Sequence, residues 1–285
     1  MTRVILDRQA GFCSGVKRTI RGAREALKEK KKVVSYGELI HNPDVTESLR
    51  RSGIEVRQSL EEIGAEDYVI IRAHGICPRE EEALIRRGIP YADLTCLRVK
   101  QIHRRIAEKR AQGYTILIVG DPQHPEVKGH LGYAGAEAGM VISRPEQAEL
   151  IAAKGGILVL AQTTTSPELF REVVRLLKAG GAGVQTLDTL CPFVLKRQRW
   201  IRRFSRLAEA SLVIGGRNSS NTEKLVRLAA QNGPAYWIQN LKELDAGRVL
   251  SHSTLALTAG ASTPQEDIRE VVAFLRERGA KVEPC

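Results

Sequence analysis

The chain repeats one pattern three times, with one cysteine at an equivalent place in each copy. A valine follows each cysteine three residues on, then comes a basic amphipathic stretch, and an apolar run ends in glycine 24 residues after the cysteine. The cysteine–glycine pairs are Cys13 and Gly37, Cys96 and Gly120, and Cys191 and Gly215. In a chain of 285 residues, this repeat predicts three small α/β domains, residues 1–95, 96–190 and 191–285.

Two polar loops recur in each copy. The first loop follows the glycine and reads His41-Asn42-Pro43, His124-Pro125-Glu126 and Ser219-Ser220-Asn221. The second loop ends a later apolar run and contains Ala73-His74-Gly75, Gln162-Thr163-Thr164 and Gly260-Ala261-Ser262. If the three copies pack with pseudo-threefold symmetry, three thiols and these loops meet at one centre. Such a centre suits a metal site with a ligand pocket beside it.

Short apolar runs alternate with helical segments along the whole chain. The strand-like runs are residues 4–6, 33–36, 69–71, 115–119, 157–160, 212–214 and 255–258. A helix is expected from Val16 to Lys30, because its apolar residues recur at helical spacing. Ser166-Pro167 and Thr263-Pro264 have the chemistry of helix starts, with Pro at the first helical position. This alternation predicts the α/β class, mostly parallel sheets, and a site at the carboxyl ends of the strands.

The composition is that of a soluble globular enzyme, 42% hydrophobic and 27% charged. No apolar run reaches the roughly 18 residues of a spanning helix, and the N-terminus lacks the architecture of a signal peptide. We therefore expect a cytoplasmic protein without a membrane partner. In that reducing compartment, the three equivalent cysteines are interpreted as metal ligands or catalytic thiols. Cys77 and Cys285 do not lie at equivalent positions of the three repeats, and they are expected to be structural.

A formal net charge of +11 points to an anionic partner. Most basic residues alternate with Glu on helical stretches, without an aromatic platform or zinc-finger spacing, so no nucleic-acid partner is expected. The helix after Cys191 is a distinctive case, with Lys196, Arg197, Arg199, Arg202, Arg203 and Arg206, all expected to be exposed. This face is either plain solvated surface or a docking site for an acidic electron donor near a metal ligand.

Three isolated thiolates can hold a metal and leave a fourth position open, as in catalytic sites. Both zinc and an iron–sulfur cluster are compatible with such soft ligands, and the alternative is three cysteines buried as small hydrophobes. Glu126 is the one carboxylate in the equivalent loop positions. Near a phosphate and thiolates its pKa is expected to rise, which suits a proton donor; otherwise it is a first-turn helix acid.

Seven motifs together resemble the LytB/IspH family of 4-hydroxy-3-methylbut-2-enyl diphosphate reductases, end to end and in order. They are residues 11–18, 38–43, 73–75, 124–127, 162–164, 218–221 and 260–262. The resemblance implies a trefoil of three α/β domains around an oxygen-sensitive [4Fe-4S] cluster held by three Cys. It also implies the last step of the methylerythritol phosphate route to isoprenoids. There, two electrons and protons remove the allylic hydroxyl as water, giving isopentenyl and dimethylallyl diphosphates.

Carried over by motif, the resemblance makes Cys13, Cys96 and Cys191 the cluster ligands, with one iron left open. Glu126 resembles the proton source, and Thr163 the hydroxyl beside the substrate's oxygen. The residues expected to hold the allylic diphosphate are His41, His74, His124, Thr164, Ser219, Ser220, Asn221 and Ser262. The expected electron donor is an acidic protein such as ferredoxin or flavodoxin.

Four positions depart from the family's usual residues. Leu97 stands for Pro, Asp121 lies where the first His of a Gly-His run is usual, His130 stands for Thr, and Val194 for Thr. They motivate an alternative, a divergent homologue that uses the open iron on another small anionic substrate. Two further alternatives are a non-catalytic zinc- or phosphate-binding protein and a nucleic-acid binder that uses the net positive charge.

Overall fold

The computed structural model describes residues 1–151, 156–181 and 183–285, where strands and helices alternate. The strands, β1 to β13 in order, are Arg3–Leu6, Val33–Tyr36, Ile54–Arg57, Tyr68–Ile71, Tyr91–Asp93, Thr115–Val119, Gly139–Ile142, Gly156–Ala161, Gly183–Thr186, Ala210–Ile214, Ala235–Ile238, Thr254–Ala259 and Lys281–Pro284. The helices, α1 to α10, are Ser14–Glu29, Pro43–Arg51, Pro78–Arg86, Leu97–Ala111, Pro125–Ala134, Pro167–Ala179, Pro192–Phe204, Ser220–Ala229, Ala246–Leu250 and Gln265–Glu277. The predicted α/β class is confirmed.

The chain folds as two compact units. Unit 1 comprises Met1–Arg18, Ile40–Ser52 and Pro192–Cys285, and it contains one sheet with the strand order β11-β10-β12-β1-β13. Unit 2 comprises Thr19–Leu39 and Gly53–Cys191, and it contains two sheets with the orders β3-β2-β4-β5 and β7-β6-β8-β9. All strand pairings in the described residues are parallel, as predicted. The division into three repeats at residues 95 and 190 stays a prediction.

The three sheets share one strand order over their first four positions. The fourth position is taken by β5 and β9 in unit 2, and by β1 in unit 1, where Val4 pairs with Leu255. In each sheet this fourth strand is followed by a repeat cysteine and then by a helix: Cys13 before α1, Cys96 before α4 and Cys191 before α7. The N-terminal strand therefore completes the sheet of the last copy, and all three cysteines occupy equivalent places.

The central strands are buried on both faces, which accounts for their unbroken apolar sequences. In unit 2, Ile116 to Val119 of β6 and the facing residues of β8 are fully or almost fully buried, and Ile106 of α4 covers one face. In unit 1, Leu212 and Leu257 pack with Val271 of α10 in the same way. Apolar strand interiors leave the loops at the strand carboxyl ends as the place for polar side chains.

Helix starts were predicted with mixed success. Ser166 caps α6 as expected, because its hydroxyl accepts the N–H of Leu169 at 3.2 Å. At α10 the prediction is wrong: Pro264 is the N-cap residue, and the Thr263 hydroxyl instead donates to the carbonyl of Ile214 at 3.0 Å. That bond ties the loop after β12 to the end of β10. None of the helices in the described residues combines the length and the apolar character needed to cross a membrane.

Candidate active site

The three repeat cysteines are half-buried thiols that form no disulfide among the described residues, and each lies immediately before a helix. The Cys13 sulfur accepts the N–H of Val16 at 3.4 Å, and Cys96 is the N-cap residue of α4. The amino-terminal end of a helix carries partial positive charge, which stabilises a thiolate placed there. Metals bind cysteine in its thiolate form, so a helix start is a suitable position for such a ligand.

Each repeat cysteine is also tied to the second polar loop of another copy by one backbone hydrogen bond. Cys13 N donates to Ala261 O at 3.1 Å, Cys96 N to Ala73 O at 3.0 Å, and Cys191 N to Thr163 O at 2.9 Å. The acceptors belong to the loops that also contain Ser262, His74 and Thr164. Each cysteine is thus fixed beside a loop that the sequence assigned to substrate binding.

In unit 2, the carboxylate of Glu126 is held by Thr163. The Thr163 amide donates to Glu126 Oε1 at 2.6 Å, and the Thr163 hydroxyl donates to Oε2 at 2.8 Å. The Thr163 carbonyl also accepts the backbone amide of Cys191. Thr163 therefore contacts both a repeat cysteine and Glu126, the carboxylate of the first polar loops. The structure therefore brings together the two residues proposed as catalytic.

The expected rise in the pKa of Glu126 is wrong for the ligand-free protein. Burial raises the pKa of this carboxyl, but His130, whose Nε2 lies 3.5 Å from Oε1, and the Thr163 amide outweigh burial and lower the pKa to about 2. The expectation considered only the anions that a cofactor and substrate would add. Glu126 is therefore ionised at neutral pH until a ligand changes its surroundings.

Two histidines of the polar loops lie next to each other in unit 2. The rings of His74 and His124 meet edge to face, with centroids 5.5 Å apart. His124 caps α5, and its Nδ1 accepts the Glu126 N–H at 3.1 Å. The proton of a neutral His124 ring then resides on Nε2, which makes that nitrogen a donor. This geometry is compatible with the predicted contacts of both rings to an anion.

Thr164 is linked to the start of the same unit's first polar loop. Its hydroxyl accepts the side-chain amide of Gln162 at 3.0 Å, while the carbonyl oxygen of that side chain accepts the Asp121 N–H at 3.1 Å. Gln162 therefore joins the two polar loops of this copy. It is almost fully buried, and the repeat pattern did not single it out as a functional residue.

In unit 1, His41, Ser262 and the loop before α8 come together. The Ser262 hydroxyl donates to the His41 carbonyl at 2.9 Å, and the Asn42 side chain donates to the Ser262 carbonyl at 2.8 Å. A Cβ on Gly216 would lie 3.0 Å from the His41 carbonyl oxygen, so this close approach requires glycine. Three of the predicted substrate-binding segments thus converge within this unit.

The start of α8 has the features of an anion-binding site. Ser219 is its N-cap residue and accepts the Thr222 N–H at 3.3 Å, and Ser220 is the first helical residue. Asn221 is only 5% exposed, yet neither its side-chain oxygen nor its nitrogen has a hydrogen-bond partner among the described residues. A buried amide without a partner is costly, which indicates that a ligand normally supplies the bond. The helix amino terminus favours an anionic ligand.

Two buried polar groups were not predicted from the sequence. His103 and His130 lie on neighbouring helices behind Glu126; His130 was noted only as a departure from the usual family residue, and nothing in the repeat pattern marks His103. The second group contradicts a prediction: Arg197 is 2% exposed, because its guanidinium pairs with Asp7 and donates to Thr258 Oγ1 at 2.6 Å. The other basic residues of the α7 face are exposed as expected: Lys196, Arg199, Arg202, Arg203 and Arg206.

The donor chemistry of the cysteines fits an iron–sulfur cluster. Thiolates at helix starts are soft, anionic ligands of the kind such clusters require. Among the residues described, no three His, Cys, Asp or Glu side chains converge on one point as ligands of a single metal ion. A cluster distributes its ligands over separate irons, so its thiolates do not share one metal atom.

The family departures lie around these groups. Leu97 and Asp121 are exposed, and Val194 is buried in α7 behind Cys191. His130 differs from the other three, because it contacts Glu126 directly. Of the four positions, His130 is the one that places an ionisable ring against Glu126.

Comparisons with known proteins agree with this site. The model of the LytB protein family matches residues 4–276. The 4-hydroxy-3-methylbut-2-enyl diphosphate reductases of Aquifex aeolicus and Geobacter sulfurreducens are 35% and 36% identical, with 97% and 96% of this chain covered and 97% of each relative.

Solved structures give the same result. The reductase from Plasmodium falciparum superposes with a TM-score of 0.92 at 25% identity, covering 99% of this chain and 91% of its own. A structure of (E)-4-hydroxy-3-methyl-but-2-enyl diphosphate reductase, the terminal enzyme of the non-mevalonate pathway, gives 0.73 at 34% identity, covering 97% of this chain and 100% of its own. LytB proteins are iron–sulfur dependent. With its fold, its three equivalent cysteines and a match along nearly its whole length, the chain belongs to the LytB family.

Proposed function

We propose that this chain is an iron–sulfur reductase that removes the allylic hydroxyl of 4-hydroxy-3-methylbut-2-enyl diphosphate and forms isopentenyl and dimethylallyl diphosphates. The observation that carries the proposal is the position of Thr163. Its carbonyl fixes Cys191, and its amide and hydroxyl fix Glu126. A reductive dehydroxylation needs an electron-transferring centre and a proton donor side by side, and Thr163 connects the two candidates within one residue.

The cofactor of this proposal is a [4Fe-4S] cluster with Cys13, Cys96 and Cys191 as ligands and one iron without a thiolate. When bound, the cluster would supply the electrons and a Lewis-acidic iron for the substrate's oxygen. The half-buried thiols and their positions at helix starts support these three residues as ligands. The three-copy organisation of the chain, at residues 1–95, 96–190 and 191–285, is part of the same proposal.

The polar loops would bind the diphosphate. In unit 1, the unpaired amide of Asn221 and the start of α8 offer hydrogen bonds to phosphate oxygens, with Ser219, Ser220, Ser262 and His41 in the same segments. In unit 2, His74, His124 and Thr164 would take this role. Because several neutral donors share the charge, the diphosphate is held without a dedicated lysine or arginine at these positions.

Glu126 would deliver protons through the Thr163 hydroxyl. In the ligand-free protein it is ionised, with its pKa lowered to about 2 by His130 and Thr163 against the effect of burial. A bound diphosphate adds negative charge nearby, which raises the proton affinity of the carboxylate. Proton uptake by Glu126 would therefore accompany substrate binding, and the proton would leave with the allylic oxygen as water.

An acidic protein of the ferredoxin or flavodoxin type would supply the electrons, in the cytoplasm that the cysteine usage indicates. The helix α7 begins directly after Cys191 and exposes Lys196, Arg199 and Arg203, and Arg206 is exposed in the turn that follows it. A basic surface next to a cluster ligand speeds encounter with an acidic donor and makes the rate depend on salt.

Anaerobic turnover of the allylic diphosphate with a strong small-molecule reductant tests the proposed function. The expected result is a brown protein with iron and sulfide that forms both C5 diphosphate products. A brown protein that leaves this substrate unchanged but is reoxidised by another small anion would instead support a divergent homologue. A colourless protein containing zinc would contradict the proposed cofactor as well.

A further inference from the structure

A pair of buried histidines lies directly behind Glu126 in unit 2. His130, on the same helix as Glu126, is 0% exposed, and its Nε2 faces Glu126 Oε1 at 3.5 Å. His103, on α4, meets the His130 ring edge to face with centroids 5.2 Å apart. On its other side His103 stacks on Tyr133, with ring centroids 4.1 Å apart. The family resemblance expects threonine at position 130, so this pair is a particular feature of this chain.

The two rings carry nitrogen atoms that the rest of the described protein does not use. His130 Nδ1 and His103 Nε2 are buried without a hydrogen-bond partner among the described residues, and His130 Nε2 faces the Glu126 carboxylate at 3.5 Å. Space around the rings is tight: a Cβ on Gly75 would lie 2.8 Å from His103 Cε1. Two buried imidazoles are energetically costly as simple packing residues, because two of their nitrogen atoms lose water and gain no hydrogen bond.

Charged and titratable groups face the pair on both sides. Glu126 is the anion that faces His130, and His124 is the other basic group near that carboxylate. The carboxylates that act on His103 are Glu126 and Asp93, and Lys100 already pairs with Asp93. Burial and the neighbouring His130 lower the pKa of His103 to about 3, so His103 stays neutral at physiological pH.

We propose that His130 is a positioning residue that stores the proton delivered by Glu126, while His103 stays neutral behind it. This inference rests on the proposed function, in which the reaction consumes two electrons from the donor and two protons. In the resting protein the proton is on His130 Nε2 and Glu126 is a carboxylate. When the anionic substrate raises the proton affinity of Glu126, the N–H bond breaks and the proton moves to Oε1. Glu126 passes this proton through Thr163 to the allylic oxygen, the C–O bond breaks, and water leaves. The allyl group takes up the donor's two electrons, and the second proton, which the medium supplies, adds to its carbon.

A proton stored inside the protein is available when the site is closed. Glu126 is 3% exposed, and a bound substrate would cover its open side, so the proton for the allylic oxygen cannot come easily from bulk water. The neighbour of Glu126 on its closed side is His130, which can supply that proton without opening the site. The pH dependence of kcat should therefore reflect the protonation of the Glu126–His130 pair rather than that of the Glu126 carboxyl alone.

The first test reads the protonation of His130 directly. The anaerobically purified protein, labelled with ¹⁵N-histidine, has six histidines, which single substitutions can assign. At pH 7 we expect both ring nitrogens of His130 to be protonated in the native protein, and the ring to be neutral in Glu126→Gln. A neutral His130 in the native protein, or an unchanged spectrum in Glu126→Gln, would overturn the proposal.

The second test compares pH profiles of kcat. In His130→Gln, Glu126 alone holds the transferable proton and loses it at a lower pH than the Glu126–His130 pair does. The decrease of kcat at high pH should therefore begin at a lower pH than in the native protein. The loss of kcat should be about tenfold at pH 7 and deepen about tenfold per pH unit above that, with KM within about twofold. His252→Gln, at a histidine that contacts Tyr236 instead, should leave the profile unchanged. If kcat is lower by the same factor at every pH and its decrease at high pH does not move, His130 has a structural role only.

The two tests separate this inference from the proposed function. Turnover of the allylic diphosphate together with a neutral His130 overturns the proton store and leaves the reductase intact. A doubly protonated His130 that depends on Glu126, in a protein that does not turn over this substrate, supports the pair and contradicts the reductase.

Discussion

The replacement of Glu126 by glutamine tests the chemistry with little structural change. The carboxylate accepts two hydrogen bonds from Thr163, at 2.6 and 2.8 Å. A glutamine oxygen can still accept from the Thr163 amide. The new side-chain amide can donate to the Thr163 hydroxyl, because a hydroxyl group rotates and accepts as readily as it donates. Both contacts therefore persist with their distances, while the capacity to hold and release a proton is lost.

The expected effect follows from that difference. General acid catalysis contributes about 10²- to 10⁴-fold, so kcat of Glu126→Gln should fall by at least about 10²-fold. The KM should change by less than about threefold, because the diphosphate contacts lie on other residues. A matched variant, Thr163→Val, keeps the 2.6 Å amide bond and loses only the hydroxyl bond to the ionised carboxylate. A bond to a charged group is worth about 1.5–3 kcal/mol, so kcat should fall by about 10- to 100-fold.

The assay is anaerobic steady-state turnover with a small-molecule reductant, normalised to the iron content of each variant. Iron content separates a loss of chemistry from a loss of cofactor, since Thr163 also accepts the amide of Cys191. A kcat near that of the native protein in Glu126→Gln, at equal iron content, would refute the role of this carboxylate as proton donor. The ionised state of Glu126 would then serve only to orient the Thr163 loop.

Three further predictions concern the cofactor, the donor and the stability of unit 1. Replacing any proposed cluster ligand by serine should remove most of the iron and cluster absorbance, whereas Cys77→Ser should keep both; full iron content in Cys96→Ser would contradict the ligand assignment. Arg199→Glu combined with Arg203→Glu should slow reduction by an acidic protein donor and weaken its salt dependence, while turnover with a small-molecule reductant stays constant; an equal loss with both reductants would indicate a folding defect. Arg197→Met leaves its buried carboxylate partner without a cation, so urea titration should show a free energy of unfolding lower by about 3–5 kcal/mol. The exposed control Arg199→Met should change it by less than about 0.5 kcal/mol, and similar losses in both would contradict the importance of the buried pair.

Much of the fold could be predicted, because buried strands of a parallel sheet have apolar sequences bounded by turn residues. The strand predictions for residues 33–36, 115–119 and 212–214 fall on β2, β6 and β10. What could not be predicted is which strands pair. Val4 pairs with Leu255, and no local pattern encodes a partner so far along the chain. The assignment of β1 to the last sheet depends on tertiary packing alone.

The site was predicted in its positions but not in its charges. The cysteines and polar loops follow from the repeat, yet the lowered pKa of Glu126 in this structure was not predicted, because it arises from His130, which lies one helical turn away and faces Glu126. The spacing of four residues after a helix start is a signal that could have found this contact. Arg197 offered no such signal, because its partner Asp7 is 190 residues away. Charge pairs between distant segments are where single-sequence reasoning fails here.

The backbone hydrogen bonds of the cysteines connect different repeat segments of the chain. In unit 2, the loop that contains Ala73 fixes Cys96, and the loop that contains Thr163 fixes Cys191. In unit 1, the loop that contains Ala261 fixes Cys13, and β1 pairs with β12 in the same sheet. In each case the loop belongs to a different predicted repeat from the cysteine that it holds. The position of each proposed ligand therefore depends on a loop outside its own predicted repeat.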